Sequence, residues 1–147
     1  MKGGVPGPGM PHGIYVYQGG EWVLLRSDGS PLDLSEAGDG VVVVYFDNAL
    51  CPACRLQDRY WIDLVRRYSG DSRVKFYVVL CNWFSQNCSS KAAAETFKKY
   101  SISASPTIVI AAVKGGKSVY TEFLEGVRTT EVLSLYVSTA LRQLKEG

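Results

Sequence analysis

The sequence predicts an α/β protein in which a central mixed β-sheet is flanked by helices and is preceded by an extra N-terminal β-hairpin. Residues 41–46, Val-Val-Val-Val-Tyr-Phe, are apolar on both faces and rich in β-branched side chains, which is typical of a strand covered on both sides. Amphipathic helical patterns alternate with further strand-like runs after it. The chain has 147 residues, of which 46% are hydrophobic, so it suits one domain with a sizeable core.

The first residues differ in composition from the rest of the chain. Residues 1–13 contain five glycines and three prolines and bury little apolar surface, so we expect a disordered or loosely docked tail followed by a single domain over residues 14–147. The only histidine, His12, lies in this tail, where we expect it to be solvated. Residues 15–25 form two strand-prone runs around Gly19-Gly20, which favours a hairpin with a tight primed turn.

The remaining elements follow the central strand in order. Ser89 or Ser90 can cap the second helix, and Gly115-Gly116 favours a tight turn between the last two strands. The predicted elements are a helix over residues 52–68, a strand over 74–80, a helix ending near 100, strands over 106–113 and 118–123, and an amphipathic helix reaching 144.

Charge and hydropathy exclude several classes of function. The 16 Lys and Arg residues nearly balance the 14 Asp and Glu residues, giving a net charge of +2, which argues against a dedicated nucleic-acid-binding or membrane-surface protein. No apolar run approaches the ~20 residues that span a bilayer. The first nine residues contain one lysine but no apolar stretch resembling that of a secretory signal, so we expect a cytoplasmic protein.

The four cysteines form two local pairs, Cys51/Cys54 and Cys81/Cys88. The run Cys51-Pro-Ala-Cys54 stands between the buried strand and the first helix, where unpaired N–H groups and the helix dipole favour a thiolate. Arg55 adds a nearby positive charge. Because two intervening residues let the sulfur atoms reach bonding distance, we predict a redox couple in which Cys51 attacks a substrate disulfide and Cys54 resolves the mixed disulfide.

Together these features resemble the thioredoxin-like family of thiol–disulfide oxidoreductases over residues 41–144. The resemblance implies activity on protein disulfides, a thioredoxin-reductase-like electron donor, no metal or organic cofactor, and a monomer. It also implies a cis peptide bond before Pro106. The features on which the resemblance rests are the buried strand, the Cys-Pro-Ala-Cys motif, Ser105-Pro106 before Thr107, Gly115-Gly116, Gly126 and the closing helix. The residues that the resemblance implies in substrate contact are Pro52, Ala53, Ser105 and Pro106.

The sequence departs from the family's pattern at several positions. Thioredoxins carry Trp-Cys-Gly-Pro-Cys where this chain has Leu50-Cys-Pro-Ala-Cys54, so the direction of electron flow, reductase or oxidase, stays open. Tyr45 occupies the position of the family's buried aspartate, which leaves Asp47 as the candidate proton acceptor for Cys54. The first helix also lacks the family's kinking proline, whose counterpart lies near Arg59.

The second cysteine pair favours a structural disulfide. Cys81 closes the second core strand and Cys88 precedes a helix, so both should lie at the sheet edge that carries Cys51. A redox pair that exchanges electrons with Cys51/Cys54, a metal site and two free thiols are the alternatives. Trp83 and Phe84 lie in the intervening loop, where they are expected to pack on the domain or line a substrate groove.

Two other functions compete with an oxidoreductase. A zinc-binding module needs its four cysteines to converge tetrahedrally, and the spacing of Cys81 and Cys88 is not that of the usual zinc knuckle. A redox-inactive chaperone or scaffold with a thioredoxin-like fold would carry its cysteines incidentally.

Overall fold

The computed structural model describes residues 4–82 and 86–146. Trp83 and Phe84, for which we predicted loop packing or a place in a substrate groove, lie outside the described residues. The elements are, in order, β1 (Gly13–Gln18), β2 (Glu21–Arg26), β3 (Gly40–Asn48), α1 (Pro52–Tyr68), β4 (Val74–Cys81), α2 (Lys91–Lys99), β5 (Thr107–Lys114), β6 (Lys117–Glu125) and α3 (Thr130–Glu146).

The strands form one six-stranded mixed sheet in the order β2-β1-β4-β3-β5-β6. Strand β3 pairs in parallel with β4 and antiparallel with β5, and all nine of its residues are buried. This position explains why its sequence is apolar on both faces. The N-terminal hairpin continues the sheet because β1 pairs antiparallel with β4. The predicted fold class is confirmed.

The sheet separates two hydrophobic layers. Alternate residues of β3 face opposite sides, so Val43 and Tyr45 lie in one layer while Val44 and Phe46 lie in the other. Helices α1 and α3 cover the first layer, and α2 covers the second. The end of β3 therefore presents one side chain to α1 and the next to α2, and this alternation decides which residues reach the cysteines.

Trp61 of α1 lies at the centre of an aromatic chain in the α1 layer. Its ring centroid is 5.2 Å from that of Tyr45 and 6.1 Å from that of Trp22, with which it stacks. Tyr17 continues the chain at 5.1 Å from Trp22. These rings attach the N-terminal hairpin to the helix that carries the cysteines.

Residues 4–12, which precede β1, are docked on the domain, so of the two expectations for the tail they follow the docked one. Val5 is buried in the α1 layer, and the indole of Trp22 donates a hydrogen bond to the Gly4 carbonyl at 2.7 Å. His12 is tied as well, since its Nδ1 accepts a hydrogen bond from the Ser89 N–H at 3.0 Å. The segment is ordered because one apolar side chain and several backbone groups find partners, which its glycine and proline content did not reveal.

Each helix begins where a side chain or loop satisfies its first N–H groups. Helix α1 starts after Cys51 and runs to Tyr68 as one helix, consistent with the absence of a proline near Arg59. Helix α2 starts after Ser90, whose hydroxyl accepts the Ala93 N–H at 3.0 Å and donates to the Ser27 carbonyl at 2.6 Å. Among the described residues, no helix has the length and apolar character needed to cross a membrane.

Candidate active site

Cys51 and Cys54 lie at the junction between β3 and α1, as the sequence predicted. Cys51 is the N-cap residue of α1, and its Sγ accepts a hydrogen bond from the Cys54 N–H at 3.2 Å. Both are free thiols, but Cys51 is partly exposed whereas Cys54 is buried. The helix thus presents one accessible sulfur atom and one sulfur atom that solvent cannot reach.

The segment before β5 lies against the accessible thiol. The Cys51 Sγ is 3.6 Å from the Ser105 carbonyl oxygen, and the Ser105–Pro106 peptide bond is cis. Pro106 is buried and Ser105 is half-buried, while Pro52 and Ala53, which follow Cys51 in the chain, are exposed. The fold thus brings Ser105 beside Cys51, although the two are fifty-four residues apart in the chain.

Leu50 adds an apolar surface beside the accessible thiol. It takes the place of the family's tryptophan, and 65% of it is exposed to solvent. A large apolar side chain exposed to this degree is available for contact with another molecule. It lies next to Pro52 and Ala53, so the rim of the site is largely apolar on the α1 side.

A charged cluster lies beneath the cysteines. Asp47 points from the end of β3 into the α1 layer and is completely buried. The Arg55 guanidinium bridges two carboxylates, with its Nη2 2.6 Å from Asp47 Oδ1 and its Nε 2.9 Å from Asp58 Oδ2. It also donates to the Ala49 carbonyl at 2.9 Å. One cation thus serves two anions, and the Asp47 Oδ2 has no hydrogen-bond partner among the described residues.

Burial and charge perturb the acid–base properties of this cluster. Burial, together with the negative charge of Asp58, raises the pKa of Asp47 to about 7, against the opposing effect of Arg55. Burial, followed by the charge of Asp47, raises the pKa of the Cys54 thiol far above its ordinary value. The negative charge of a carboxylate that titrates near neutrality thus makes the buried thiol harder to ionise.

Tyr45 and Asp58 complete the cluster, and sequence reasoning assigned neither of them a role in it. The Tyr45 hydroxyl lies 2.8 Å from the Cys54 carbonyl and 2.8 Å from Asp58 Oδ1. Burial raises the pKa of Asp58, although its hydrogen bonds to Tyr45 and Arg55 oppose the shift. Asp58 follows Arg55 by three residues on α1, and this helical spacing was the available signal.

The structure corrects the role expected for Arg55. We predicted that its charge would favour the Cys51 thiolate, but its guanidinium is directed to Asp47 and Asp58. Asp47, in contrast, is buried in the α1 layer, and its charge raises the pKa of the Cys54 thiol. The position is two residues later in the strand than in the resembling family, and strand alternation keeps it on the same face as Tyr45.

Gln57 is a further buried polar residue near the cysteines. Its side chain is fully buried, its Nε2 donates to the Arg128 carbonyl at 2.9 Å, and its Oε1 accepts the Arg128 N–H at 2.8 Å. The loop that contains Arg128 also reaches the segment before β5, because the Gly126 N–H donates to the Pro106 carbonyl at 2.9 Å. Sequence analysis did not find Gln57, since it looks like an ordinary helix residue.

Cys81 and Cys88 are joined by a disulfide bond. Cys81 pairs with Asn48 at the end of β3, and its carbonyl accepts the Ala49 N–H, so the disulfide lies at the predicted end of the sheet. However, the Cys81 side chain lies in the α2 layer, on the face opposite α1. The sheet therefore separates the disulfide from Cys54.

The two cysteine pairs do not form one metal site in this structure. Cys81 and Cys88 are bonded to each other, so their sulfur atoms are not available as thiolate ligands. Over residues 4–82 and 86–146, no group of three or more His, Cys, Asp or Glu side chains is close enough to share a metal ion.

Solved structures similar to this chain are thioredoxins from distant sources. A chloroplastic thioredoxin z has a TM-score of 0.56 and 21% identity, covering 82% of this chain and 97% of that one. A thioredoxin from Aeropyrum pernix has a TM-score of 0.54 and 19% identity, covering 91% and 96%. One from Fasciola hepatica has a TM-score of 0.52 and 24% identity, covering 73% and 86%. No protein-family model and no curated protein matches the sequence.

Proposed function

We propose that this chain, which has the thioredoxin fold of these structures, is a thiol–disulfide oxidoreductase that acts on protein disulfides through Cys51 and Cys54. The observation that carries the proposal is the unequal placement of the two thiols. Cys51 is partly exposed at a helix N-terminus beside Ser105, whereas Cys54 is buried and its pKa is raised by burial and by the charge of Asp47. A nucleophile and a resolving thiol need this division, because only the first must meet the substrate.

In the reducing direction the reaction has two exchange steps. The Cys51 thiolate attacks one sulfur atom of the substrate disulfide, forming a Cys51–substrate disulfide and releasing the first substrate thiolate. Cys54 then loses its proton and attacks the Cys51 sulfur, which releases the second substrate thiolate and leaves a Cys51–Cys54 disulfide. The substrate gains two electrons, the protein loses two, and a dithiol donor restores the reduced protein. An oxidase would run the same steps in reverse.

Asp47 supplies the base for the second step. Cys54 is buried and its thiol has a strongly raised pKa, so it needs a nearby acceptor when it attacks. The carboxylate of Asp47, whose pKa is about 7, is ionised for a large part of the time near neutral pH and can take that proton. Tyr45, which stands at the position of the family's aspartate, instead contacts Asp58 and the Cys54 backbone.

The proposal includes partners and a location. The substrates are protein disulfides, whose backbone would lie along Ser105 and Pro106, with Pro52 and Ala53 on the other side. The electron donor would be a thioredoxin-reductase-like protein, the chain would act as a monomer in the cytoplasm, and neither a metal nor an organic cofactor is needed because the cysteines carry the electrons. These points rest on the resemblance and on the chemistry of the dithiol.

The assignment of roles is tested by insulin-disulfide reduction with single variants. Cys51→Ser is expected to abolish turnover, because the accessible nucleophile is lost. Cys54→Ser is expected to form a mixed disulfide with the substrate that persists until an external thiol is added. Asp47→Asn is expected to accumulate the same adduct transiently, because resolution slows. Loss of turnover in Cys54→Ser without any adduct would contradict the assignment.

The same variants separate the competing functions. A chaperone or scaffold would retain its binding and anti-aggregation activity in a variant in which Cys51 and Cys54 are both serine, and the wild type would show no insulin reduction. A zinc module would contain stoichiometric zinc after purification, a result that the Cys81–Cys88 disulfide argues against.

A further inference from the structure

We propose that Gln57 is a positioning residue that holds the loop over residues 126–129 at the distance from Cys51 that a protein substrate requires. The proposal rests on the proposed function and adds to it a residue that determines substrate affinity without touching the reacting sulfur atoms. It follows from three connected sets of contacts, between Gln57 and the loop, between the loop and Pro106, and between Ser105 and Cys51.

The first contact is a two-point bridge between α1 and the loop. Gln57 lies three residues after Cys54, so both side chains project from the same side of the helix. Its amide donates to the carbonyl and accepts from the N–H of a single residue, Arg128, at 2.9 and 2.8 Å. Two bonds to the two peptide groups that flank one Cα fix both the distance and the orientation of the backbone at Arg128. Because Gln57 is fully buried, water cannot replace these bonds without a rearrangement.

The second and third contacts connect the loop over residues 126–129 to the nucleophile, Cys51. The Gly126 N–H donates to the Pro106 carbonyl at 2.9 Å, and the Ser105 carbonyl is 3.6 Å from the Cys51 Sγ. Gly126 is exposed and has a φ of 87°, a backbone conformation that glycine adopts without strain. The exposed loop and the segment at Pro106 therefore form one surface beside Cys51, and Gln57 ties this surface to the helix that carries the thiol.

A second hydrogen bond, between α1 and the start of α3, provides a matched control. The Thr130 hydroxyl donates to the Tyr60 carbonyl at 2.9 Å and thus also joins the start of α3 to α1. Thr130 is buried and, like Gln57, makes a polar contact whose loss destabilises the protein. However, it lies beyond the loop that reaches Pro106. A general loosening of the α1–α3 contact should affect both positions equally, whereas the proposal singles out Gln57.

The experiment compares Gln57→Leu with Thr130→Val in insulin reduction. We expect the KM of Gln57→Leu for insulin to rise about tenfold, the effect of losing one or two buried hydrogen bonds, with little change in kcat. The rate at which iodoacetamide alkylates Cys51 should not change, because a small reagent does not use the loop. Thr130→Val should lower the midpoint of denaturation without raising the KM.

Gln57→Glu supplies a rescue that a purely structural role would not produce. A protonated carboxyl group can donate to the Arg128 carbonyl and accept from the Arg128 N–H, as the amide does here, whereas a carboxylate has no donor for the carbonyl. The ratio of the variant's KM to the wild-type KM, measured at the same pH, should therefore fall towards one between pH 8 and pH 5. Burial is expected to raise the pKa of the introduced carboxyl group into this range, so that it becomes protonated as the pH falls.

Each outcome is decisive for one proposal. An unchanged KM in folded Gln57→Leu, or an equal rise in Thr130→Val, would overturn the role of Gln57 and leave the oxidoreductase intact. If the wild type neither reduces nor forms protein disulfides, the proposed function fails, and hydrogen exchange then tests Gln57 separately. The amides of Gly126 and Arg128 must exchange faster in Gln57→Leu but not in Thr130→Val; equal exchange in both variants would refute the positioning role.

Discussion

Replacing Asp47 by asparagine is expected to stabilise the protein, and increasingly so as the pH rises from 5 to 8. Ionisation of a buried carboxylate lowers the free energy of unfolding. Asparagine removes that charge while keeping the shape of the side chain. Between the ordinary pKa of 3.8 and the folded value of about 7, the folded protein binds more protons at Asp47 than the unfolded chain. Wild-type stability therefore falls as the pH rises through this window.

The size of the effect follows from the two pKa values. The cost of ionising Asp47 in the folded protein grows from about 2 kcal/mol at pH 5 to about 4 kcal/mol at pH 8. The free energy of unfolding of Asp47→Asn, minus that of its parent, should thus increase by about 2–3 kcal/mol across this range. The exchange of a carboxylate for an amide adds an offset that does not depend on pH.

The measurement is chemical denaturation at several pH values in a Cys51→Ser background. This background prevents a Cys51–Cys54 disulfide without a reductant, so the Cys81–Cys88 bond stays intact, and serine preserves the helix cap. Asp63→Asn is the control for exchanging a carboxylate for an amide, because Asp63 is an exposed carboxylate of α1. A difference for Asp47→Asn that changes with pH no more than that for Asp63→Asn between pH 5 and pH 8 would refute the reasoning.

Three further results are expected. Replacing Cys81 and Cys88 together by serine should cost about 2–3 kcal/mol and lower the Tm by about 5–10 °C, with insulin turnover retained at moderate temperature; retained stability with lost turnover would instead indicate a redox relay. Ser90→Ala should lower the free energy of unfolding by about 1–2 kcal/mol, because the α2 cap and the bond to the Ser27 carbonyl are lost, whereas Ser89→Ala should cost less. Deleting residues 1–9 should cost about 2 kcal/mol, since the burial of Val5 is lost; an unchanged denaturation midpoint would show that the segment does not contribute to folding.

The sequence was sufficient to predict the strands and helices whose apolar pattern is set by burial. Strand β3 is covered on both sides, and its unbroken apolar run predicted this. Helix α1 has the predicted bounds because a proline suits its first turn, a cysteine caps it, and its apolar residues recur with helical spacing. The location of Cys51 and Cys54 followed from the same junction of strand and helix.

The contacts between distant parts of the chain could not be predicted in this way. The docking of residues 4–12 depends on one valine and on backbone groups, which leave little trace in composition. The direction of the Arg55 side chain depends on which of several nearby charges it meets, and only the fold places Asp47 and Asp58 around it. Gln57 was missed because its partners are the backbone atoms of a loop seventy-one residues away.

The aromatic chain through Trp61 gives the protein an intrinsic optical reporter. Trp61 lies 5.2 Å from Tyr45, whose hydroxyl contacts the Cys54 carbonyl, and 6.1 Å from Trp22, which is bonded to the N-terminal segment. Indole fluorescence responds to the polarity of its surroundings and to nearby sulfur. In a Trp83→Phe variant the two remaining indoles should therefore report both oxidation of the dithiol and release of the N-terminal segment. Their emission could follow each catalytic cycle in stopped flow without an added label.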